Sequence, residues 1–295
     1  MNRADRDSWT NEVLDEVLLA VIASQPLREA LIFKGARILN LHIRENRQSL
    51  DIDSNAASEL VRSITDLDDQ MAFFKNQFSI ALRRYFEGQN PVRFELEDIK
   101  VERNPSEGHP HGWDAFWLRF TLRDNHLART RGLPRLEIEV AAPETLGPKA
   151  VETMNIRGCS AQVYSLHRIA GEKLRAYLTS LPAYRQKMGG VQREFRIKDL
   201  HDIARILRVR SATDTGFWIN ASHEFRLACK SRFVDCEDLH TFMQGWSLAR
   251  ERYKADPTLR NVPFAETEQA LTTVAGLFKN QGIFPLNFPV DKPLQ

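Results

Sequence analysis

A chain of 295 residues is long enough to bury a core without disulfide or metal staples, and it has room for one large domain or two ordinary ones. Its 42% hydrophobic and 27% charged residues are ordinary for a water-soluble globular protein, and a formal net charge of +2 neither demands nor excludes nucleic acid. The start, MNRADRDSWTNE, lacks an apolar signal core, the early apolar run VLLAVIA (17–23) is far too short to span a bilayer, and Cys159, Cys229 and Cys236 form no CxxC pair. These features predict a cytoplasmic protein with no membrane span, disulfide framework or zinc site.

From Thr10 to Ala23, Val13, Leu14, Val17, Leu18, Val21 and Ile22 recur at helical spacing and predict an amphipathic opening helix. After Pro26, the stretch LREALIFKGARILNLHI is punctuated at Lys34-Gly35-Ala36. That predicts a tight turn into a helix whose first N–H groups are free to meet an anion. QSLDID then reads as a strand. Residues 56–87 contain no glycine or proline and keep an apolar 3.6 period, which fits one long helix or two consecutive ones. VRFELEDIKVE (92–102), DAFWLRFTLR (114–123) and RLEIEVAA (135–142) alternate apolar and polar residues, as half-buried antiparallel strands do. The stretch NPSEGHPHGW between the first two reads as a loop.

From about Ser160 the pattern turns helical, in QVYSLHRIAGEKLRAYLTSL, FRIKDLHDIARILRV, ASHEFRLACKSRF, CEDLHTFMQGWSLARERY and ETEQALTTVAGLFKN. The proline-rich tail GIFPLNFPVDKPLQ should lie extended against the body. The expected organisation is an α/β part over 1–155 carrying the paired acids, followed by an all-helical part over 156–295.

Asp51 and Asp53 flank Ile52, and in a strand side chains two apart share a face roughly 7 Å from one another. Such a pair is costly unless something positive binds it. Glu137-x-Glu139 repeats the pattern on a later strand, so if the two strands are neighbours up to four carboxylates converge. Hard oxygen ligands of this kind suit Mg²⁺ or Mn²⁺ together with substrate phosphates. Two such ions about 4 Å apart can clamp the attacking and leaving oxygens of nucleotidyl transfer. Each element also has a plainer explanation, since Asp-x-Asp is common at turns and the glutamates suit a solvated edge strand.

Other residues carry two readings as well. Lys173, on a helix face with Leu166, Ile169 and Leu174, would stand at the edge of a cleft or simply in solvent beside Glu172. Asp199 and Asp202 share a helix face, yet acids are also favoured in a first helical turn. His109 and His111 lack further ligands at zinc spacing. Trp113, Phe116 and Trp117 read as core rather than a base-stacking platform. Arg123, Arg129, Arg131 and Arg135 would track an RNA backbone or form a solvated loop.

Taken in order, FKGARILNL, RQSLDID, GEKLRAYL and RIKDLHDI resemble the AbiEii/AbiGii-like nucleotidyltransferases, toxins of type IV toxin–antitoxin and abortive-infection systems. The corresponding family signatures are FKGGTxL, RxSxDxD, E-K-L-x-A-L and R-x-K-D-hydrophobic-x-D-hydrophobic, and the matches run from about Leu31 to Leu207. The resemblance implies an α+β fold, with a polymerase-β-like nucleotidyltransferase domain built on a mixed sheet and a helical C-terminal domain. It implies metal-dependent transfer of a nucleoside monophosphate from an NTP to an acceptor such as tRNA or another RNA, with a cognate antitoxin protein as partner.

Residue by residue, the resemblance assigns Mg²⁺ or Mn²⁺ to Asp51 and Asp53, with Glu139, or failing it Glu137, completing the acidic set. Lys173 would contact the nucleotide phosphates, Asp199 would be the acid of the family's lysine-aspartate pair, and Asp202 would be structural. Lys34, Gly35 and Arg37 fall on the substrate side, where Gly35 would let the backbone approach the triphosphate. Ala36 and Arg37 depart from the family's second glycine and Ser or Thr. Arg37 offers no small hydroxyl, although its guanidinium could pair with phosphate. That departure supports a second expectation, a noncatalytic member of the fold that binds a partner protein or nucleic acid.

Overall fold

The opening helix forms where the apolar spacing predicts it. In α1 (Arg3–Ala23) the six expected residues from Val13 to Ile22 are each at most 3% exposed. Asn2 caps it reciprocally, its side chain accepting from the Asp5 N–H while the Asp5 carboxylate accepts from the Asn2 N–H. The computed structural model describes residues 2–45, 47–109, 111–127, 133–190 and 195–290. Arg129 and Arg131 of the basic cluster lie outside them.

After α2 (Gln25–Ala30), β1 (Leu31–Lys34) runs straight into α3 (Gly35–Ile43), and β2 (Ile52–Ala56) begins one residue after Asp51. The glycine-free stretch makes two helices, α4 (Ser58–Ser63) and α5 (Leu67–Glu87), the second capped by Asp66 through the N–H groups of Asp68 and Asp69. The three alternating segments become β3 (Phe94–Asn104), β4 (Ala115–Asp124) and β5 (Leu136–Ala141).

Here the expectation of helix from Ser160 needs correction. Residues 151–164 form β6 (Val151–Ile156) and β7 (Cys159–Tyr164), so QVY is strand. Arg157 and Gly158 join them with φ of 48° and 89°, the left-handed pair of a tight hairpin link. β6 is an edge strand in which only Ile156 is buried, and without a buried face it lacks the apolar alternation that marks a strand.

The seven strands form one sheet in the order β3-β4-β5-β2-β1-β7-β6. β1–β2, β3–β4 and β4–β5 are antiparallel, whereas β2–β5 and β1–β7 are parallel, so the sheet is mixed. Aromatic side chains of α5 pack on it: Phe74 lies 5.6 Å from Phe116 and Phe86 lies 5.5 Å from Phe94, ring centre to ring centre. Full burial of such side chains is worth about 1.5–3 kcal/mol each. α1 is tied to β4 by the Trp9 indole N–H, which donates to buried Asp124 at 2.9 Å.

The chain divides into two compact units, residues 1–143 with 152–164, and residues 144–151 with 165–295. The expected break at 155 therefore falls inside β6. Residues 144–151 join the second unit because their polar groups are satisfied there. Arg168 binds Glu144 at 2.6 Å and Glu224 at 3.2 Å, with all three side chains at most 5% exposed. This unit is helical: α6 (Leu166–Thr179), α7 (Pro182–Met188), α8 (Ile197–Val209), α9 (Thr215–Ser231), α10 (Leu239–Phe242), α11 (Trp246–Ala255) and α12 (Phe264–Asn280). α6 and α9 approach closely at Gly171, where a Cβ would stand 2.6 Å from the Phe225 nitrogen. The tail lies against this unit through a backbone bridge between Leu286 and Cys236. No described helix is long and apolar enough to cross a membrane.

Candidate active site

Strand register lines up a row of functional side chains. Lys34 stands opposite Asp53, Asp53 is level with Glu139 across the parallel β2–β5 pair, and Glu139 stands opposite Trp117. Residues level on adjacent strands share a face, so a lysine, two carboxylates and an indole lie side by side across β1, β2, β5 and β4. Glu137 and Arg119 occupy the same face two residues along.

The two glutamates differ in their partners. Arg119 binds Glu137 at 2.8 Å and also reaches Glu102. Among the described residues no cation pairs with Glu139, so Glu139 rather than Glu137 stands as the uncompensated acid beside Asp53. Asp53 itself lies against the first residue of α3. A Cβ on Gly35 would stand 2.0 Å from the Asp53 Oδ2, and Gly35 has φ +78°, so both space and backbone call for glycine. The positive end of a helix dipole favours a carboxylate there. Asp53 thus fills the space that a side chain at position 35 would need.

Asp51, one residue outside β2, is exposed, and its Oδ1 accepts from the Ser49 hydroxyl at 3.0 Å. Lys34 is only 9% exposed and its Nζ lies 5.9 Å from the centre of the Tyr164 ring. In donor chemistry, Asp51, Asp53 and Glu139 fit a hard divalent cation. Among the described residues no three acidic, histidine or cysteine side chains stand closely enough together to hold one.

A sequence profile of the family described as "Nucleotidyl transferase AbiEii toxin, Type IV TA system" matches residues 16–275. The chain belongs to that family. Membership makes this AbiEii-family chain a nucleotidyltransferase of the toxin–antitoxin class. In fold it is similar to a crystal structure of a candidate nucleotidyltransferase from H. pylori, at 14% identity and a TM-score of 0.51 over 95% of this chain and 97% of that one. JHP933 from Helicobacter pylori aligns at 15% identity and a TM-score of 0.49 over 90% of each chain. No curated protein matches.

Where the AbiEii pattern has a small hydroxyl, this chain has Arg37, which is bound within the fold. Arg37 is 6% exposed, and its guanidinium pairs with Asp15 and donates to the Ser49 carbonyl at 2.6 Å. Burial pulls its pKa below the ordinary arginine value, opposed in part by Asp15. A buried guanidinium must be paired, and α1 and the loop before β2 supply the acceptors here.

In the helical unit of the AbiEii chain, Lys173 on α6 meets two aspartates on α8, Asp199 at 2.8 Å and Asp202 at 2.9 Å. Burial alone would lower the Lys173 pKa, but the charges of Asp199 and Asp202 outweigh it and raise it. Burial likewise pushes Asp199 up, and Lys173 with Arg196 more than reverses it, leaving it below the ordinary aspartate value. Asp202 also pairs with Arg205 at 3.0 Å. His109 stacks on Trp113 with ring centres 4.8 Å apart, and His111 lies tilted against the same indole. Sequence reasoning missed Asn11, Asp15 and Ser49 around Asp51. Asn11 and Asp15 lie on the polar side of α1, 26 and 22 positions before the Arg37 they bind, whereas Ser49 sits inside the quoted RQSLDID.

Proposed function

We propose that this chain transfers a nucleoside monophosphate from an NTP to an RNA hydroxyl, with tRNA the foremost acceptor, as the toxin of a cytoplasmic pair whose other member is a cognate antitoxin protein. The observation that carries the reading is the row Lys34, Asp53, Glu139, in which two carboxylates stand level on parallel strands and one of them has no described cation. Asp51, Asp53 and Glu139 would hold Mg²⁺ or Mn²⁺, which supplies charge to offset that developing on the phosphates. The acceptor oxygen bonds to the α-phosphorus as the bond to pyrophosphate breaks, and a carboxylate of the row takes the hydroxyl proton. Lys34 sits where it would steady negative charge at the end of β1. Lys173 is proposed as a phosphate contact, kept protonated by Asp199 and Asp202.

Purified protein incubated with labelled NTPs, Mg²⁺ and total tRNA should label the RNA. Absence of label, or label that survives Asp51→Ala with Asp53→Ala, would sink the reading. A second reading, a noncatalytic binder of a partner protein or nucleic acid, is favoured by one observation, the inward commitment of Arg37. Calorimetry separates the two, because a pure binding module shows no Mg²⁺-dependent NTP affinity.

A further inference from the structure

Asp51 lies outside the ladder, yet the loop that carries it is gripped from behind. The Arg37 guanidinium reaches from α3 to Asp15 on α1, lies 3.4 Å from the Asn11 carbonyl, and donates to the Ser49 carbonyl at 2.6 Å. The Asn11 side-chain oxygen accepts the Ser49 N–H at 3.0 Å. Both backbone groups of Ser49 are therefore fixed, and the residue is only 5% exposed. Its hydroxyl then donates to the Asp51 carboxylate at 3.0 Å, with the Asp51 carbonyl 3.3 Å away. A continuous line of contacts runs from Asp15 through Arg37 and Ser49 to Asp51.

We propose that Arg37 and Ser49 are positioning residues for the cation site: Arg37 fixes the Ser49 backbone, and the Ser49 hydroxyl aims the Asp51 carboxylate. This rests on the reading of Asp51 as a cation ligand. The physical argument is one of order. β2 pairing begins only at Ile52, so no ladder bond restrains Asp51, and an exposed carboxylate that must be ordered at the moment of binding spends part of its affinity on lost rotamer freedom. A hydrogen bond that orders it beforehand removes that cost, and partners of this kind behind metal ligands carry about 10–100-fold in metal affinity. Arg37, in place of the family's hydroxyl residue, thus acts on the site from beneath.

Mn²⁺ titration of the full-length protein, with free ion read by electron paramagnetic resonance, tests this alongside thermal midpoints. Ser49→Ala should weaken Mn²⁺ binding about tenfold, Ser49→Thr, which keeps the hydroxyl, should bind like the parent, and Arg37→Gln should weaken binding at least as much as Ser49→Ala. Parent-like Mn²⁺ affinity in Ser49→Ala overturns the proposal, as does equal loss in Ser49→Ala and Ser49→Thr. If Arg37→Gln lowers only the thermal midpoint, Arg37 has no positioning role. A parent protein that binds no Mn²⁺ brings down the cation reading of Asp51 first, and the positioning role with it.

Discussion

In the sheet unit, Asp53 and Glu139 stand level on neighbouring strands, half-exposed, and no described cation meets Glu139. In the helical unit, Asp199 and Asp202 are at most 2% exposed and share Lys173, with Arg196 and Arg205 as further partners. Both regions crowd carboxylates, yet the helical one answers both of its buried acids with cations of its own, whereas Glu139 meets none among the described residues. Buried acids must be compensated within the fold, because an unpaired buried charge costs several kcal/mol. Acids at a solvent-facing strand row can stay uncompensated, because water screens them until a cation arrives. The contrast separates buried acids answered within the fold from an acid left open to an incoming cation.

The largest expected effect tests the available charges. Asp51→Ala with Asp53→Ala should lower nucleotidyl transfer by roughly three orders of magnitude, the scale of losing several kcal/mol of charge stabilisation. The thermal midpoint should hold or rise, since like charges are removed. A variant that unfolds instead would place Asp53 among the charges that hold the fold and erase the distinction.

Lys173→Met reverses the expectation. It leaves two buried aspartates without their shared cation and should cost about 3–5 kcal/mol of stability in urea unfolding. The triple change Lys173→Met, Asp199→Asn, Asp202→Asn should recover most of that loss. A single variant as stable as the parent would mean that Asp199 and Asp202 do not depend on Lys173 for their burial.

The sequence made the strands around the acids legible because β4 and β5 alternate cleanly, and Asp-x-Asp with Glu-x-Glu announced a shared level that the parallel β2–β5 register realises at Asp53 and Glu139. The pairing of Asp199 and Asp202 on one face followed from helical spacing. What was not legible depends on contacts between distant residues. Nothing near Arg37 in the chain shows that Asp15, 22 positions earlier, will capture it. The β6–β7 hairpin was hidden because an exposed edge strand has no apolar face to display.

Gly35→Ala sharpens the contrast from the sheet side. The added methyl would overlap the Asp53 carboxylate on a backbone with φ +78°. Strain of about 1–3 kcal/mol is expected, together with a displaced Asp53 and weaker Mn²⁺ binding. A Gly35→Ala protein with parent-like midpoint and Mn²⁺ affinity would mean that the carboxylate moves aside at little cost.

The smallest effect comes from pH, and its sign follows from the two shifted groups. Asp199 is held below the ordinary aspartate value of 3.8, so the folded state binds fewer protons there than the unfolded chain. Its stabilising contribution is therefore full above about pH 4 and falls away as pH drops through the depressed value. Lys173 is raised above the ordinary 10.5, so its contribution is full below that value and is lost only as pH climbs past it. Between these limits the cluster contributes a flat term, and stability from about pH 5 to 9 should not change on its account. Lys173→Met removes the charge that depresses Asp199, so urea unfolding of parent and variant should differ most on that plateau and converge below pH 4. A gap that stays constant into acid would mean that Asp199 owes its low pKa to Arg196 instead, leaving Lys173 less committed to holding the fold and freer for a phosphate.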